Sequence, residues 1–364
     1  MRMPECLPVA ALIVFALLPN SFALGQGKPA QEPKDVAEIQ QAAVSYYNRG
    51  EYEKAIEEYK RAIEINPDSV EAYYHLGMAY SSLGKYKEAV EAYGRAIRIK
   101  PEYAAAYYNL GHAYSNLNQH DKAIKAFRRS IQYEPDNVEA YFALGNAYSD
   151  SGKEDKAVDT LEAAISLKPD NPYAYYRLGL LYFPGGLHAR AAEAFTQVII
   201  RDPRYGEAYY HRAYSYLFLG RGESAASDAE TYLALKGWRA EHSLEMAIVS
   251  HFGHLQARQE SAARKVLEEA LGEGDPKAWP YPAVEYLMDQ ISARLLFKAG
   301  ADEAQKVEAR AYIGVSLSLQ GDYKAAREHL EWVKNHSDSQ PIQFFLAASE
   351  IERVKVNSTV SFKK

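Results

Sequence analysis

The sequence predicts an all-α protein, a solenoid of antiparallel helix pairs, on the strength of two observations. Tyrosine, glycine and alanine return at a constant interval of 34 residues, and most copies end in a proline that stops a helix. The closing prolines are Pro67, Pro101, Pro135, Pro169 and Pro203. Because a single helix pair leaves an apolar face exposed, neighbouring copies must stack to bury it.

The copy from residue 70 to residue 103 shows how this spacing builds one helix pair. Gly77 in the first helix and Ala89 in the second have little or no side chain, so the two helices can approach closely, while Tyr93 fills the space beside them. Gly84 stands where the first helix should end, and glycine suits the left-handed residue that closes many helices.

The same copy carries the motif of a known repeat. Its residues Tyr73, Leu76, Gly77, Tyr80, Ala89, Tyr93 and Pro101 follow the tetratricopeptide (TPR) pattern, with tyrosine in the bulky aromatic positions. The chain therefore resembles the TPR family, which implies a TPR-type α-solenoid, a right-handed superhelix of helix pairs. Six repeats are predicted over residues 36–239, at 36–69, 70–103, 104–137, 138–171, 172–205 and 206–239.

After residue 239 the register of the repeat is lost and then recovered. Residues 240–306 form a degenerate helical segment, with helices expected at 240–254, 258–271 and 283–298. A final repeat is predicted at 307–340, and a capping helix at 341–354 should cover the exposed end of the array. The tail from residue 355 to residue 364 is expected to be disordered.

The first 25 residues have the features of a secretory signal peptide: a basic residue near the start, an apolar run, and small residues around a cleavage position after Gly25. Residues 26–35 form a linker. We expect an exported protein, periplasmic or secreted after cleavage, with an uncleaved N-terminal membrane anchor as the alternative. Cys6, the single cysteine, precedes the apolar run, which does not support lipid anchoring, and cleavage would leave a chain without disulfides.

The net charge and the absence of known catalytic motifs argue against several classes of function. A net charge of −6 argues against a nucleic-acid partner. The sequence contains none of the zinc-protease, serine-hydrolase, P-loop or dinucleotide-binding motifs. His242, His251 and His254 are a weak metal-site candidate because no acidic ligand lies nearby in register. We therefore expect no catalytic residue, no metal site and no cofactor.

The candidate binding surface is the concave face, which in TPR arrays is lined mainly by the first helix of each repeat. Positions at matching offsets share that face and combine aromatic rings with amides, imidazoles and one arginine. The predicted groove residues are Tyr74, His75, Met78, Tyr108, Asn109, His112, Phe142, Asn146, Tyr176, Arg177, Tyr210 and His211. The rings either bind a peptide or pack between repeats. Lysines for a carboxylate clamp are absent from these positions.

A second resemblance covers the last third of the chain. The residues that carry it are Trp279, Val284, Glu285, Tyr286, Leu287, Ile291, Ser292, Tyr312, Gly314, Leu317, Leu319, Gly321 and Asp322. They look like the matching region of NlpI-type bacterial outer-membrane TPR lipoproteins. Members of that family are envelope adaptors that dimerise and present murein hydrolases to a periplasmic protease. The resemblance implies envelope hydrolases or proteases as partners and a homodimer, although this chain lacks the lipoprotein cysteine.

Together these features predict a non-catalytic scaffold or adaptor of the cell envelope or secretory compartment. It would bind partner proteins or peptides through the concave face, with no nucleic acid and no small-molecule substrate. Two alternatives stay open: a self-assembling structural oligomer, and a metal-dependent enzyme with its site within residues 240–300.

Overall fold

The computed structural model describes residues 34–337 and 341–361, which form 19 α-helices joined by short connections and contain no strand. The predicted signal peptide, most of the linker and the last three residues lie outside the described residues. The chain divides after Leu167 into two compact units, each of which is described by itself. The predicted all-α solenoid fold class is confirmed.

Unit 1 consists of four helix pairs, the first four predicted repeats. Its helices are α1 (Lys34–Asn48), α2 (Tyr52–Ile65), α3 (Val70–Ser82), α4 (Tyr86–Ile99), α5 (Ala104–Asn116), α6 (His120–Tyr133), α7 (Val138–Asp150) and α8 (Glu154–Leu167). Each helix packs against the next one along the chain. The core is made of small clusters of alanine with one large side chain from the second helix of each pair, a ring such as Tyr59 or Phe127 in the first three pairs and Leu161 in the fourth.

The ends of these helices follow the signals in the sequence. Helix α2 ends at Ile65, two residues before Pro67, and α4 ends at Ile99, two residues before Pro101. Gly84 and Gly152 have φ angles of 71° and 70°, the left-handed conformation predicted for them.

Two of the first helices in unit 1 are also capped at their N-termini by short polar side chains. The Ser69 hydroxyl accepts a hydrogen bond from the Ala72 amide at 3.3 Å, and the Asn137 side chain accepts one from the Ala140 amide at 3.0 Å.

The close helix crossing predicted at Gly77 is present. A Cβ atom added to Gly77 would lie 2.6 Å from the Tyr93 ring, and one added to Gly111 would lie 2.5 Å from the Phe127 ring. The second helix thus places an aromatic ring directly on the backbone of the first. This contact sets the spacing within each pair.

Unit 2 contains two further repeats, a variant helix pair, two short helices, a final repeat and a long C-terminal helix. Its helices are α9 (Pro172–Tyr182), α10 (His188–Arg201), α11 (Gly206–Phe218), α12 (Gly222–Lys236), α13 (Ser243–Gln256), α14 (Glu260–Glu273), α15 (Tyr281–Leu287), α16 (Ala293–Ala299), α17 (Glu303–Leu319), α18 (Tyr323–His336) and α19 (Pro341–Ser361). Most of its buried side chains belong to one continuous core. Helix α9 has 11 residues where α3 has 13, because Pro184, two residues after its end, cannot continue the helix.

The single helix predicted at 283–298 is wrong, because this stretch forms two helices, α15 and α16. Asp289 adopts a left-handed φ of 59°, and the Gln290 amide turns back to donate to the Glu285 carbonyl at 2.9 Å. The Ser292 hydroxyl then accepts a hydrogen bond from the Leu295 amide at 3.4 Å and starts α16.

The C-terminal helix is longer than predicted. Helix α19 runs from Pro341 to Ser361, so the expected end at residue 354 and the disordered tail from residue 355 are incorrect as far as Ser361. Leu346 and Ile351 are buried against the unit, and the Ser318 hydroxyl of α17 donates to the buried Glu350 carboxylate at 2.5 Å. These contacts with α17 hold the helix in place.

A buried ion pair replaces the usual apolar contact in repeat six. Arg212 occupies the leucine position of the repeat and binds the Asp228 carboxylate through two hydrogen bonds of 2.7 Å. Burial raises the pKa of Asp228, although the arginine opposes that rise. Arg212 also donates to the Thr196 hydroxyl at 2.9 Å and thereby joins repeats five and six.

Replacing Gly77 with alanine should destabilise unit 1 by about 1–3 kcal/mol, since the new methyl group would collide with the Tyr93 ring. The control is Gly94→Ala in helix α4, where an added Cβ meets nothing within 4 Å. That variant should gain about 0.5–1 kcal/mol from the better helix propensity of alanine. Denaturant unfolding measures both changes, and equal effects would contradict the proposed crossing.

Candidate functional site

In unit 1 the first helices of successive repeats lie side by side. The Tyr47 hydroxyl of α1 is 3.1 Å from the Ser82 hydroxyl of α3, and the Asn109 side chain of α5 donates to the Tyr74 hydroxyl of α3 at 2.9 Å. Residues at equal repeat offsets therefore form one continuous face within this unit, called the inner face of unit 1 here. It is built from α1, α3, α5 and α7.

Tyr74 and Asn109 contribute to this face mainly as a link between repeats. The half-buried Tyr74 ring lies 5.0 Å from the Tyr103 ring and 6.0 Å from the Tyr93 ring. Burial raises the pKa of the Tyr74 hydroxyl, while the hydrogen bond from Asn109 acts in the opposite direction. These contacts support the packing interpretation at both positions.

His112, His75, Met78 and Tyr108 leave surface open to solvent. His112 is exposed, and its ring stands edge-on to Tyr108 at 4.5 Å. His75, Met78 and Tyr108 are half-buried. His75 stacks on the Tyr59 ring at 5.7 Å, and burial lowers the pKa of its imidazole, which keeps the ring neutral at pH 7. This part of the inner face offers uncharged aromatic, imidazole and thioether groups.

At α7 the predicted aromatic groove residue is buried instead of accessible. Phe142 is 7% exposed, so its burial argues against direct contact between this ring and a ligand. Asn146 is half-buried, and its Oδ1 atom accepts no hydrogen bond within the described part of the chain.

Unit 2 contains the remaining four predicted groove residues, and here the rings pack inward. Tyr176 lies 5.0 Å from Tyr205 and 5.8 Å from His211. Tyr210 is 7% exposed, and its hydroxyl donates to Glu245 Oε2 at 2.9 Å. Arg177 is half-buried.

His211 is held between rings in the core of unit 2. It stacks on Phe195 at 5.3 Å and stands edge-on to Phe183 at 5.6 Å. Burial lowers the pKa of His211 to about 4, so the imidazole is neutral at physiological pH. A half-buried, neutral ring that contacts aromatic neighbours in this way serves packing.

Later helices of the chain cover the inner side of α11. Tyr214 is 2% exposed and Tyr312 of α17 is 4% exposed, and both belong to the core that includes Tyr210. Phe345 of α19 packs near Phe218 at 6.2 Å. The face that the sequence predicts as a groove at repeat six is thus covered by α13 and α19 of the same unit, with Tyr312 of α17 in the same core.

A group of polar side chains lies next to this core, which the repeat pattern could not reveal. Glu245 Oε2 accepts a hydrogen bond from the Tyr210 hydroxyl, and Glu245 Oε1 lies 3.2 Å from His242 Nδ1. Trp279 donates its indole N–H to Glu308 Oε2 at 2.5 Å. Burial raises the pKa of Glu308 to about 7, the Trp279 hydrogen bond opposes this rise, and the nearby Glu245 carboxylate adds to it.

The three histidines considered as metal ligands each have a different polar partner. His251 is buried with Nδ1 at 2.8 Å from the Ala263 carbonyl. His254 contacts Glu230 at 2.7 Å through Nε2, and His242 contacts Glu245. Within residues 34–337 and 341–361, no three His, Cys, Asp or Glu side chains are placed to hold a metal ion.

Comparison with protein families gives the chain its assignment. Models described as TPR repeat match residues 45–84, 77–118 and 145–186, and models described as tetratricopeptide repeat match residues 104–137, 126–159 and 176–237. Together these matches span more than half of the chain. It belongs to the tetratricopeptide repeat family.

Two solved TPR structures share the fold of this chain. The C-terminal part of a TPR repeat-containing protein from Cytophaga hutchinsonii is 17% identical with a TM-score of 0.58, and the match covers 67% of this chain and 98% of that one. A tetratricopeptide repeat protein from Parabacteroides merdae is 19% identical with a TM-score of 0.50, and the match covers 71% of this chain and 99% of that one. The protein MamA is 30% identical with a TM-score of 0.43, and the match covers 45% of this chain and 96% of that one. A search of curated proteins finds no significant match.

Among the described helices of the TPR protein, none is both long enough and apolar enough to cross a bilayer.

Replacing Glu308 with glutamine should stabilise the protein at pH 8 and leave stability nearly unchanged near pH 4. Burial raises the pKa of the carboxyl from 4.5 to about 7, so the folded state binds the proton more tightly than the unfolded chain. Stability is therefore lost as the pH rises from 4.5 to 7. Glutamine keeps an oxygen for the Trp279 N–H without the charge, and the gain at pH 8 should reach up to about 3 kcal/mol.

Thermal unfolding at both pH values measures this effect. The control is Glu328→Gln, which removes the same charge at an exposed position of α18. It should show the same difference from the unmodified protein at pH 4 and pH 8. A Glu308→Gln variant with no extra stability at pH 8 would contradict the assignment of Glu308 as a carboxyl whose pKa is raised by burial.

Proposed function

We propose that the protein is a non-catalytic scaffold that binds partner proteins or peptides on the inner face of unit 1. The observation that carries this proposal is the accessibility of Met78 on α3 and of Tyr108 and His112 on α5, the next first helix along the chain. In unit 2 the corresponding surface of α11 is occupied by the chain's own helices. Extended concave surfaces of this type are what repeat proteins use for binding.

The chemistry of the inner face indicates how a partner is recognised. The helices α3, α5 and α7 carry no lysine and no arginine. A clamp for a C-terminal carboxylate is therefore not part of the proposal. Half-buried rings supply contact area at low entropic cost, and the side chains of His112 and Asn146 offer hydrogen-bonding groups to a peptide backbone.

The compartment and the partner class rest on the sequence. The pattern of the first 25 residues supports export, to the periplasm or beyond it. The resemblance of the last third to NlpI-type lipoproteins supports envelope hydrolases or proteases as partners, and a homodimer. The absence of catalysis belongs to the same proposal, supported by histidines that are engaged in other contacts.

A photo-crosslinking amino acid placed at His112 should capture a partner from the compartment to which the protein is exported. The matched control carries the same crosslinker at Lys125, an exposed position on α6, the second helix of the same repeat as His112. Capture of a distinct protein at His112 and not at Lys125 is the expected result. Capture of a second copy of the chain would favour the self-assembling oligomer, and equal capture at both positions would contradict the proposed face.

Alanine substitutions should separate binding from packing on the same face. Tyr74→Ala should lower the melting temperature, because the ring packs against Tyr93 and Tyr103 and accepts a hydrogen bond from Asn109. His112→Ala removes a side chain that is exposed apart from its ring contacts with Tyr108 and Phe127, so it should lower the melting temperature less than Tyr74→Ala while reducing partner capture. Unchanged capture by a folded His112→Ala protein would exclude this residue from the binding surface.

A further inference from the structure

Unit 2 contains an open cavity that the repeat pattern does not produce. It lies between the connection from α12 to α13, around Trp238, and the connection from α14 to α15, around Trp279. Its volume is about 540 Å³, within the range of ligand-binding pockets. We call it the Trp238–Trp279 cavity. Both connections are longer than the turns of the regular repeats, which is what leaves the space open.

Carboxylates outnumber cations around this cavity. The acidic residues that line it are Glu241, Glu245 and Asp275. Arg239 is the one arginine or lysine among the lining residues. His242 also lines it and lies between two carboxylates, 3.2 Å from Glu245 and 3.7 Å from Glu241. Even with His242 protonated, the carboxylates remain in excess. The cavity therefore favours a cationic ligand.

The two tryptophans add a second feature that suits a cation. Trp238 and Trp279 are half-buried, so part of each side chain stays accessible. The indole N–H of Trp279 is already bound to Glu308, which leaves carbon surface of that ring for other contacts. Tryptophan is the best aromatic partner for an ammonium or guanidinium group, and carboxylates form strong charge-assisted hydrogen bonds with both.

We propose that the Trp238–Trp279 cavity binds a lysine or arginine side chain of a partner polypeptide. The volume has room for a long side chain together with the backbone that carries it. The cationic head pairs with Glu241 and Asp275, both of which are exposed, and the aliphatic stem packs on indole carbon. This site is separate from the inner face of unit 1 and does not depend on its function.

The intrinsic fluorescence of the full chain can test this site. A Trp332→Phe substitution removes the third tryptophan, which stacks on His336 of α18, so the signal comes from Trp238 and Trp279 alone. The probe is the blocked peptide acetyl-Ala-Arg-Arg-Ala-amide, compared with the same peptide carrying citrulline, which is close in shape and uncharged. We expect a saturable fluorescence change with the arginine peptide and none with the citrulline peptide.

Variants then locate the binding. The Glu241→Gln, Asp275→Asn double variant removes both charges. Asparagine at position 275 can still accept the 3.0 Å hydrogen bond that the Lys277 amide donates to Asp275. The affinity of this variant for the arginine peptide should fall about tenfold, the loss expected from a charged contact. The matched control is Glu91→Gln, Glu162→Gln, which removes two exposed charges from unit 1. Its affinity should change less than about twofold, because neither carboxylate lines the cavity and exposed charges are screened by salt.

Each other outcome would overturn the inference. No saturable change up to about 1 mM peptide would leave the cavity without the proposed ligand. Equal binding of the citrulline peptide would exclude recognition of charge, and equal losses in the two double variants would indicate attraction by net charge. Binding of acetyl-arginine amide as tightly as the peptide would assign the site to a free small cation instead of a polypeptide.

Discussion

The crossing of two helices over a glycine is the contact on which the regular part of the structure depends. Tyr93 lies on the backbone of Gly77, and Phe195 lies on Gly179 in the same way, so any added side chain would force each pair apart. Because the solenoid repeats this pair, the spacing set at one crossing is passed to the next repeat. Each repeat then presents its first helix at the same height, which is what aligns Tyr74 with Asn109 and makes a continuous face.

Where the glycine crossing is lost, a different interaction takes its place. In repeat six Ala213 occupies the glycine position, and Arg212 beside it forms the buried pair with Asp228. A pair of this kind gains little over an apolar contact in net stability, but removing one partner leaves an isolated buried charge. Its hydrogen bond to Thr196 fixes the arginine in one arrangement. From this repeat onward the chain departs from the regular stack, with longer connections and a more polar interior.

The sequence foretold the local features well because their causes are local. A proline that stops a helix and a glycine that takes a left-handed φ act within a few residues, so the ends of α2 and α4 could be read directly. Asp289 takes the same left-handed conformation without being glycine, which is why the break between α15 and α16 was missed. The burial of Tyr210 was beyond prediction for another reason, since its cover includes Tyr312, about a hundred residues further along the chain.

The same distinction decides where the two candidate sites lie. On the inner face of unit 1, accessible side chains such as His112 stand at fixed offsets of the repeat, so the sequence could name them even though it could not say which were covered. The Trp238–Trp279 cavity is formed by connections outside the repeat, and no periodic signal marks it. Trp279, which lines the cavity, donates its indole N–H to Glu308, and burial more than the nearby Glu245 carboxylate raises the pKa of Glu308 to about 7. An apolar residue at this position could pack but could not accept the Trp279 N–H, so the half-buried acid is easier to explain by its hold on an indole that lines the cavity than by packing alone.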